Sequence, residues 1–295
     1  MKLITRIMIL LCTCVAAAPM HAQENSDSTG TACVPVRTLD RDSLAFGPGE
    51  KMSFVLHYQW GAVNSDVGHA DVTLDTVRFN GQEAFLCRAY GKTTKLFDLF
   101  FKVREDFRSW FTCDGLRPLK FTRDTREGKY EARNTYLYDW NPSDPHIDAD
   151  VFTSKMGQTS HVLPLTPCTF DLPALFFFAR NMDFDVVEPG RKYPMTFAID
   201  EEVCNVYFIL HGRETIKVKG FGTVNAIKFG AKLLEGEVFK GEEDMLIWVT
   251  DDENRLPVYF EAPLLVGVAT GRITGCEGLK YPLTSLIKKD YGKKK

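Results

Sequence analysis

The stretch Gly68-His69-Ala70-Asp71-Val72-Thr73-Leu74-Asp75-Thr76-Val77-Arg78-Phe79-Asn80-Gly81 decides the reading of the fold. Ala70, Val72 and Leu74 alternate with polar His69, Asp71, Thr73 and Asp75, the period of a strand with one buried face. Asn80 and Gly81 both tolerate positive φ, so together they are a strong hairpin signal, with residues 84–92 as the returning strand. Upstream, Phe54, Leu56, Tyr58 and Trp60 alternate with Val55, His57 and Gln59. Downstream, Phe101, Val103, Phe107 and Phe111 alternate with Lys102, Arg104, Asp106 and Arg108. Short strands separated by Gly, Asp and Asn turns recur to residue 274. That recurrence predicts an all-β, mainly antiparallel fold, a barrel or a strongly curved sheet.

Two stretches read as helical. Residues 93–100 bunch Leu96, Phe97, Leu99 and Phe100 into a turn or two. Residues 171–182 open on the N-cap residue Asp171, carry Pro173 in the first turn and run through Leu175, Phe176, Phe177 and Phe178. A helix apolar nearly all round belongs in a core, so it is expected against the apolar side of the sheet.

The compartment is read from the start of the chain. Lys2 and Arg6 precede the apolar stretch 7–18, and Met20-His21-Ala22 ends in a small residue before Gln23. This is the layout of a secretory signal peptide, with cleavage expected after Ala22 and the periplasm as destination. The apolar stretch is shorter than the roughly 20 residues a spanning helix needs, and no later run is longer, so no membrane span is expected in the mature protein. Residues 23–45 are polar and aperiodic and read as an N-terminal tether. Residues 46–285 read as one β-rich domain, which the Pro- and Asp-rich stretch 141–150 could divide into two halves. Residues 286–295 read as a basic tail.

With 44% hydrophobic and 25% charged residues, the composition is that of a globular protein. The net charge of −3, which loss of Lys2 and Arg6 makes more negative, argues against a nucleic-acid partner. Six cysteines follow residue 22, an even number suited to an oxidising compartment. Cys87 and Cys113 flank the 93–100 connection and share the parity of Phe85 and Phe111, which makes them the leading disulfide candidate. Buried free thiols are the alternative.

Motifs that carry chemistry are sparse. A hairpin folding back near residue 63 would set His57 opposite His69 with Asp71 on the same face, a candidate metal set, although a solvated strand face explains the same residues. Arg104, Arg108 and Trp110 form a basic-aromatic stripe that could meet an anionic or glycan ligand, or simply a cross-strand partner. Cys168 precedes the 171–182 helix, where a thiol pKa falls, but a structural role explains it equally well. The acidic runs Asp200-Glu201-Glu202, Glu242-Glu243-Asp244 and Asp251-Asp252-Glu253 fall at expected turns. No catalytic triad, phosphate loop or dinucleotide fingerprint is present, and nothing calls for a cofactor.

Several stretches resemble a family of exported bacterial proteins known as domain of unknown function 3108. They include residues 54–61, the Val67-Gly68-His69-Ala70 run, residues 101–106, the Leu116-Arg117-Pro118-Leu119-Lys120-Phe121 run, residues 171–180, and Ile247-Trp248-Val249-Thr250-Asp251-Asp252 with Leu256-Pro257-Val258. The resemblance spans roughly residues 46–275 and implies an exported β-rich protein, with no catalytic residues to carry over. The leading expectation is a non-enzymatic envelope protein that binds a lipid or another apolar or amphipathic ligand inside its β structure. A structural or partner-binding module whose aromatics fill a solid core is the second reading, and a hydrolase the third.

Overall fold

The computed structural model describes residues 33–233, 245–264 and 266–290. Eight strands run outward in sequence: β1 (Glu50–Trp60), β2 (Val63–Phe79), β3 (Gln82–Thr93), β4 (Val103–Thr112), β5 (Pro118–Glu127), β6 (Tyr130–Asp139), β7 (His146–Thr153) and β8 (Gly157–Pro164). A short helix, α1 (Lys95–Asp98), joins β3 to β4. The chain then crosses through β9 (Thr169–Phe170) and helix α2 (Leu172–Ala179). It returns through β10 (Lys192–Ile199), β11 (Glu202–Val218), β12 (Gly222–Leu233), β13 (Met245–Thr250), β14 (Pro257–Pro263) and β15 (Val268–Glu277), and ends with β16 (Leu286–Lys289). Two meanders therefore meet where β1 pairs with β15, and β8 and β9 form the edges of one sixteen-stranded sheet. All pairings are antiparallel except β9 with β10.

The sheet is large, antiparallel and open. It nevertheless wraps far enough for Arg123 of β5 to bond Asp200 of the β10–β11 turn at 2.6 Å. Those elements stand at opposite ends of the strand order, so only strong curvature brings them together. The turns impose this path with few residues. Asn80 and Gly81, at φ 47° and 84°, make the expected two-residue loop and hold Phe79 opposite Gln82.

Antiparallel alternation gives the wrapped sheet an upper end, with the β1–β2, β3–β4, β5–β6, β7–β8, β10–β11 and β14–β15 connections, and a lower end. The lower half is filled. Helix α2 starts at Asp171, whose carboxylate accepts the Ala174 amide at 2.8 Å, and buries Leu175, Phe177 and Phe178 against β3, β4 and β10. Phe177 meets Phe46 and Phe111 at ring separations of 4.6 and 5.9 Å, and Phe170 meets Phe178 at 4.5 Å.

Four expectations are corrected. The segment read as a tether is packed from Cys33 onward: Val34, Leu44 and Ala45 are buried and Val36 bridges Met182, while residues 23–32 lie outside the described residues. Its apolar residues are too widely spaced to show a period, yet each finds a place beneath the sheet. Stretch 141–150 does not divide the domain, because Ile147, Ala149 and Val151 continue the inward alternation as β7, paired with β6. Residues 286–289 of the expected tail form β16 on β12, and 291–295 lie outside the described residues. Cys87 and Cys113 are free thiols: Cys87 faces Ser109, and Cys113 lies four residues further along, roughly 13 Å away at strand spacing. Among the described residues a disulfide joins Cys33 to Cys168 with Cα atoms 5.5 Å apart, tying the N-terminal segment to the turn before α2.

Candidate functional site

The upper half of the interior is built from two unlike walls. Unbroken register sets Leu74, Val72, Ala70 and Gly68 of β2 opposite Cys87, Ala89, Gly91 and Thr93 of β3. Cys87, Ala89 and Gly91 in turn face Ser109, Phe107 and Glu105 of β4, and Thr93 Oγ1 accepts the Val103 amide at 3.0 Å. Leu74 and Cys87 are sealed, at 0% and 1% exposure. Higher on the same face Val72, Ala70 and Ala89 keep part of their surface accessible. Leu56 and Phe260 beside them are also only half-buried. Gly68, Gly91 and Gly271 keep this wall low. A Cβ on Gly271 would sit 2.0 Å from the Phe260 ring, which therefore lies directly over the glycine of its partner strand.

The adjoining wall, on β4 to β8, carries buried polar groups. Alternation turns Glu105, Arg123, Thr125, Glu127, Asn134, Thr159 and His161 inward with their buried neighbours. The Arg123 side chain is only 2% exposed; it donates through Nε to Thr125 Oγ1 at 2.7 Å and through Nη1 to Asp200 Oδ1 at 2.6 Å. Asn134 Nδ2 donates to Asp200 Oδ1 at 3.2 Å, and the Tyr136 hydroxyl donates to the Asp200 carbonyl at 2.8 Å. Asp200 and Glu201 are the two loop residues between paired Ile199 and Glu202, and Asp200 takes φ 48°, a conformation aspartate tolerates. Glu201 accepts from Thr159 Oγ1 at 2.8 Å and lies 3.4 Å from His161 Nε2. Polar side chains thus cross the seam that backbone pairing leaves open.

Two carboxyls stand out inside this wall. Thr125 Oγ1 donates to Glu105 Oε2 at 2.5 Å, but Glu105 Oε1 and both oxygens of Glu127 are buried without a regular hydrogen bond. Burial pushes both carboxyls up, and for Glu127 the neighbouring Glu105 charge pushes further, while Arg123 opposes the rise in each. Like charges this close and this dry do not both ionise at neutral pH, so the pair retains a proton. Lower down, burial raises Asp171 to about 7 against the pull of the Ala174 amide and of Ser109 Oγ, 2.7 Å away. A wall of this kind offers both a donor and acceptors to a polar group. No cluster of three or more His, Cys, Asp or Glu suited to a metal occurs among the described residues.

The residues singled out in the sequence lie elsewhere. The β1–β2 hairpin turns at Gly61 and Ala62, so His57 faces Asp66, His69 faces Val55, and Asp71 faces Ser53. His57 Nδ1 meets Asp66 at 2.9 Å and Asp71 accepts from Ser53 at 2.6 Å, so the candidate metal set is not assembled. A loop shorter than expected, together with a register shift after Leu56, accounts for the miss. Arg104, Arg108 and Trp110 share the outer face of β4. Arg104 pairs with Asp98 at 2.6 Å, Arg108 with Asp106 at 3.0 Å, and Lys120 lies 5.4 Å from the Trp110 ring, so the stripe's guanidinium groups are taken by acids of the chain itself. Of the acidic runs, Asp200-Glu201-Glu202 joins the interior wall and 242–244 lies outside the described residues. Glu105 and Glu127 carried a legible signal: each has the parity of the buried residues on its strand, Val103 and Phe107 in one case, Phe121 in the other. An acid at an inward position of an alternating strand is the mark this wall leaves in the sequence.

Among solved structures the fold is similar to a beta-barrel-like protein of domain of unknown function DUF1849 from Brucella abortus. That likeness has 10% identity and a TM-score of 0.50, and it covers 79% of this chain and 98% of the other. A putative lipoprotein from Parabacteroides distasonis ATCC 8503 matches at 9% identity and a TM-score of 0.29, covering 80% of this chain and 99% of the other. No curated protein matches. Among the described residues no helix is long and apolar enough to cross a membrane. Residues 53–274, which include both walls of the interior and helix α2, match the model of the protein of unknown function DUF3108, and the chain belongs to that family.

Proposed function

We propose that this is an exported, non-enzymatic envelope protein that holds an amphipathic ligand in the upper half of its curved sheet. One observation carries the reading: the two inner walls differ in chemistry. Ala70, Val72, Ala89 and Phe260 present half-buried apolar surface, while Glu105, Glu127 and Arg123 on the adjoining strands bring charge and buried carboxyl oxygens that have no regular bond. A ligand with an apolar body and a polar head satisfies both at once. A sealed core would have no use for small residues and half-exposed apolar side chains on an inward face.

The second reading, a structural or partner-binding module, draws support from the lower half, where Phe46, Phe85, Phe111 and Phe177 are at 0% exposure. Native mass spectrometry of the protein purified from its own envelope separates the two. The ligand reading expects an adduct of a few hundred daltons that organic extraction identifies as a lipid or other amphiphile. A bare polypeptide mass from gently handled envelope material, with Ala89 and Val72 inaccessible to small apolar probes, rejects it in favour of the structural module.

A further inference from the structure

The upper rim carries exposed apolar side chains that the fold does not use. Leu96, Leu99 and Phe100, on and just after α1, are 71%, 79% and 76% exposed, and Trp60 and Val63 at the tip of the β1–β2 hairpin are 49% and 39% exposed. The two groups belong to one surface. Thr94 donates its amide to Val67 at 2.9 Å, and Phe97 packs with Tyr58, Val67 and Leu264, so α1 is pinned to the base of the hairpin with its remaining apolar residues turned outward.

The charge around them is mainly positive. Lys95, Lys102 and Lys129 are exposed on the same rim and form no ion pair among the described residues. Of the nearby acids, Asp98 is held by Arg104 at 2.6 Å and Asp66 by Arg272 at 2.7 Å, and exposed Glu131 stands opposite Arg126 on the β5–β6 pair. On the far side of the mouth, Asp200 and Glu201 turn inward to Arg123 and Thr159. Exposed Leu, Phe and Trp ringed by unpaired lysine is the composition of a surface that settles into the head-group layer of an anionic bilayer. A soluble protein partner would more readily meet a rim with both signs of charge.

We propose that this arc of the upper rim docks the protein reversibly on a membrane surface containing anionic lipid. The inference does not depend on any ligand being held in the interior. Trp60, Leu99 and Phe100 enter the head-group region, and Lys95, Lys102 and Lys129 lie over lipid phosphates.

The test is co-sedimentation of the purified chain with vesicles of phosphatidylcholine alone and of phosphatidylcholine with 30% phosphatidylglycerol. Fluorescence quenching by brominated lipids, with Trp60→Phe as control, localises the contact. Partitioning is expected only with the anionic vesicles, falling steeply with salt, with quenching that Trp60→Phe removes. Leu99→Asp with Phe100→Asp should lower partitioning at least tenfold at unchanged circular dichroism, as should Lys95→Glu with Lys102→Glu. Wild-type protein remaining in the supernatant overturns the proposal. So does partitioning that both double variants retain, which would place the contact elsewhere on the chain. A dimer in solution that Leu99→Asp with Phe100→Asp dissolves, without vesicle binding, overturns it in favour of a second copy of the chain.

Discussion

Arg180 and Glu50 form an ion pair with side chains 1% and 0% exposed, the guanidinium reaching both carboxylate oxygens. Arg180 follows α2 and Glu50 opens β1, so the pair fastens the helix to the centre of the sheet. The remaining donors are met by the Asn254 carbonyl at 2.9 and 3.2 Å and the Ala45 carbonyl at 3.4 Å, and the guanidinium lies over the Phe46 and Phe177 rings. Removing either partner strands a charge in a dry core. Arg180→Met or Glu50→Gln should each cost about 3–5 kcal/mol by urea denaturation. The Glu50→Leu, Arg180→Met double variant should be less damaged than the sum of its parts, and strict additivity would exclude this coupling.

The Cys33–Cys168 bond spans 135 residues and holds a segment that is otherwise fastened by Val34, Leu44 and the Val36 bridge. Cys168→Ser should therefore lower stability by about 2–5 kcal/mol under oxidising conditions. In the native protein, Cys87, which is fully buried and whose thiol burial pushes up, should resist alkylation until the chain unfolds. Rapid labelling of native Cys87 would contradict the placement of β3.

Stability should fall as pH rises from the carboxylate range toward neutrality and beyond. Asp171, raised to about 7, and the Glu105–Glu127 pair, raised by burial, hold protons in the folded state that the unfolded chain releases. Unfolding therefore becomes easier across that window, by up to about 1.4 kcal/mol per pH unit for each proton retained. At the acid end the sign reverses. Asp66 and Asp98 are held near 2, chiefly by Arg272 and Arg104, so their modest, solvent-screened contribution is lost as pH drops through that value. The melting temperature should peak at about pH 4, where the two sets of groups change over, and Glu127→Gln should flatten the alkaline limb. An unchanged slope in Glu127→Gln would show that the pair ionises freely.

The strands and the buried helix were legible because alternation and an all-apolar run are local signals, and Asn80-Gly81 fixed one register outright. Registers set by other turns were not. The His57–His69 pairing failed by a loop of two residues where a longer one was expected, and one slip in a strand moves every neighbour. Packing of Val34 and Leu44 was invisible because it depends on the far side of the sheet. The polar wall was half legible: inward Glu105 could be read from parity, but its neighbour Asp200 comes from a turn that only curvature brings near.

Substitution at Ala89 discriminates between a filled and an accommodating interior without any knowledge of the ligand. Ala89 stands between Val72 and Phe107 on the inner face, half-buried, one pair above sealed Cys87. Were the upper half packed to core density, Ala89→Phe would force its neighbours off their rotamers and cost about 1–3 kcal/mol. In a half-open interior the new ring enters space that is already accessible, so stability in urea should stay within about 1 kcal/mol of wild type. The same ring should displace whatever amphiphile co-purifies, leaving a bare mass in native spectrometry while the wild type carries its adduct. A stable Ala89→Phe variant that keeps the adduct would move the ligand away from this wall, and an unstable one would return the upper half to the core.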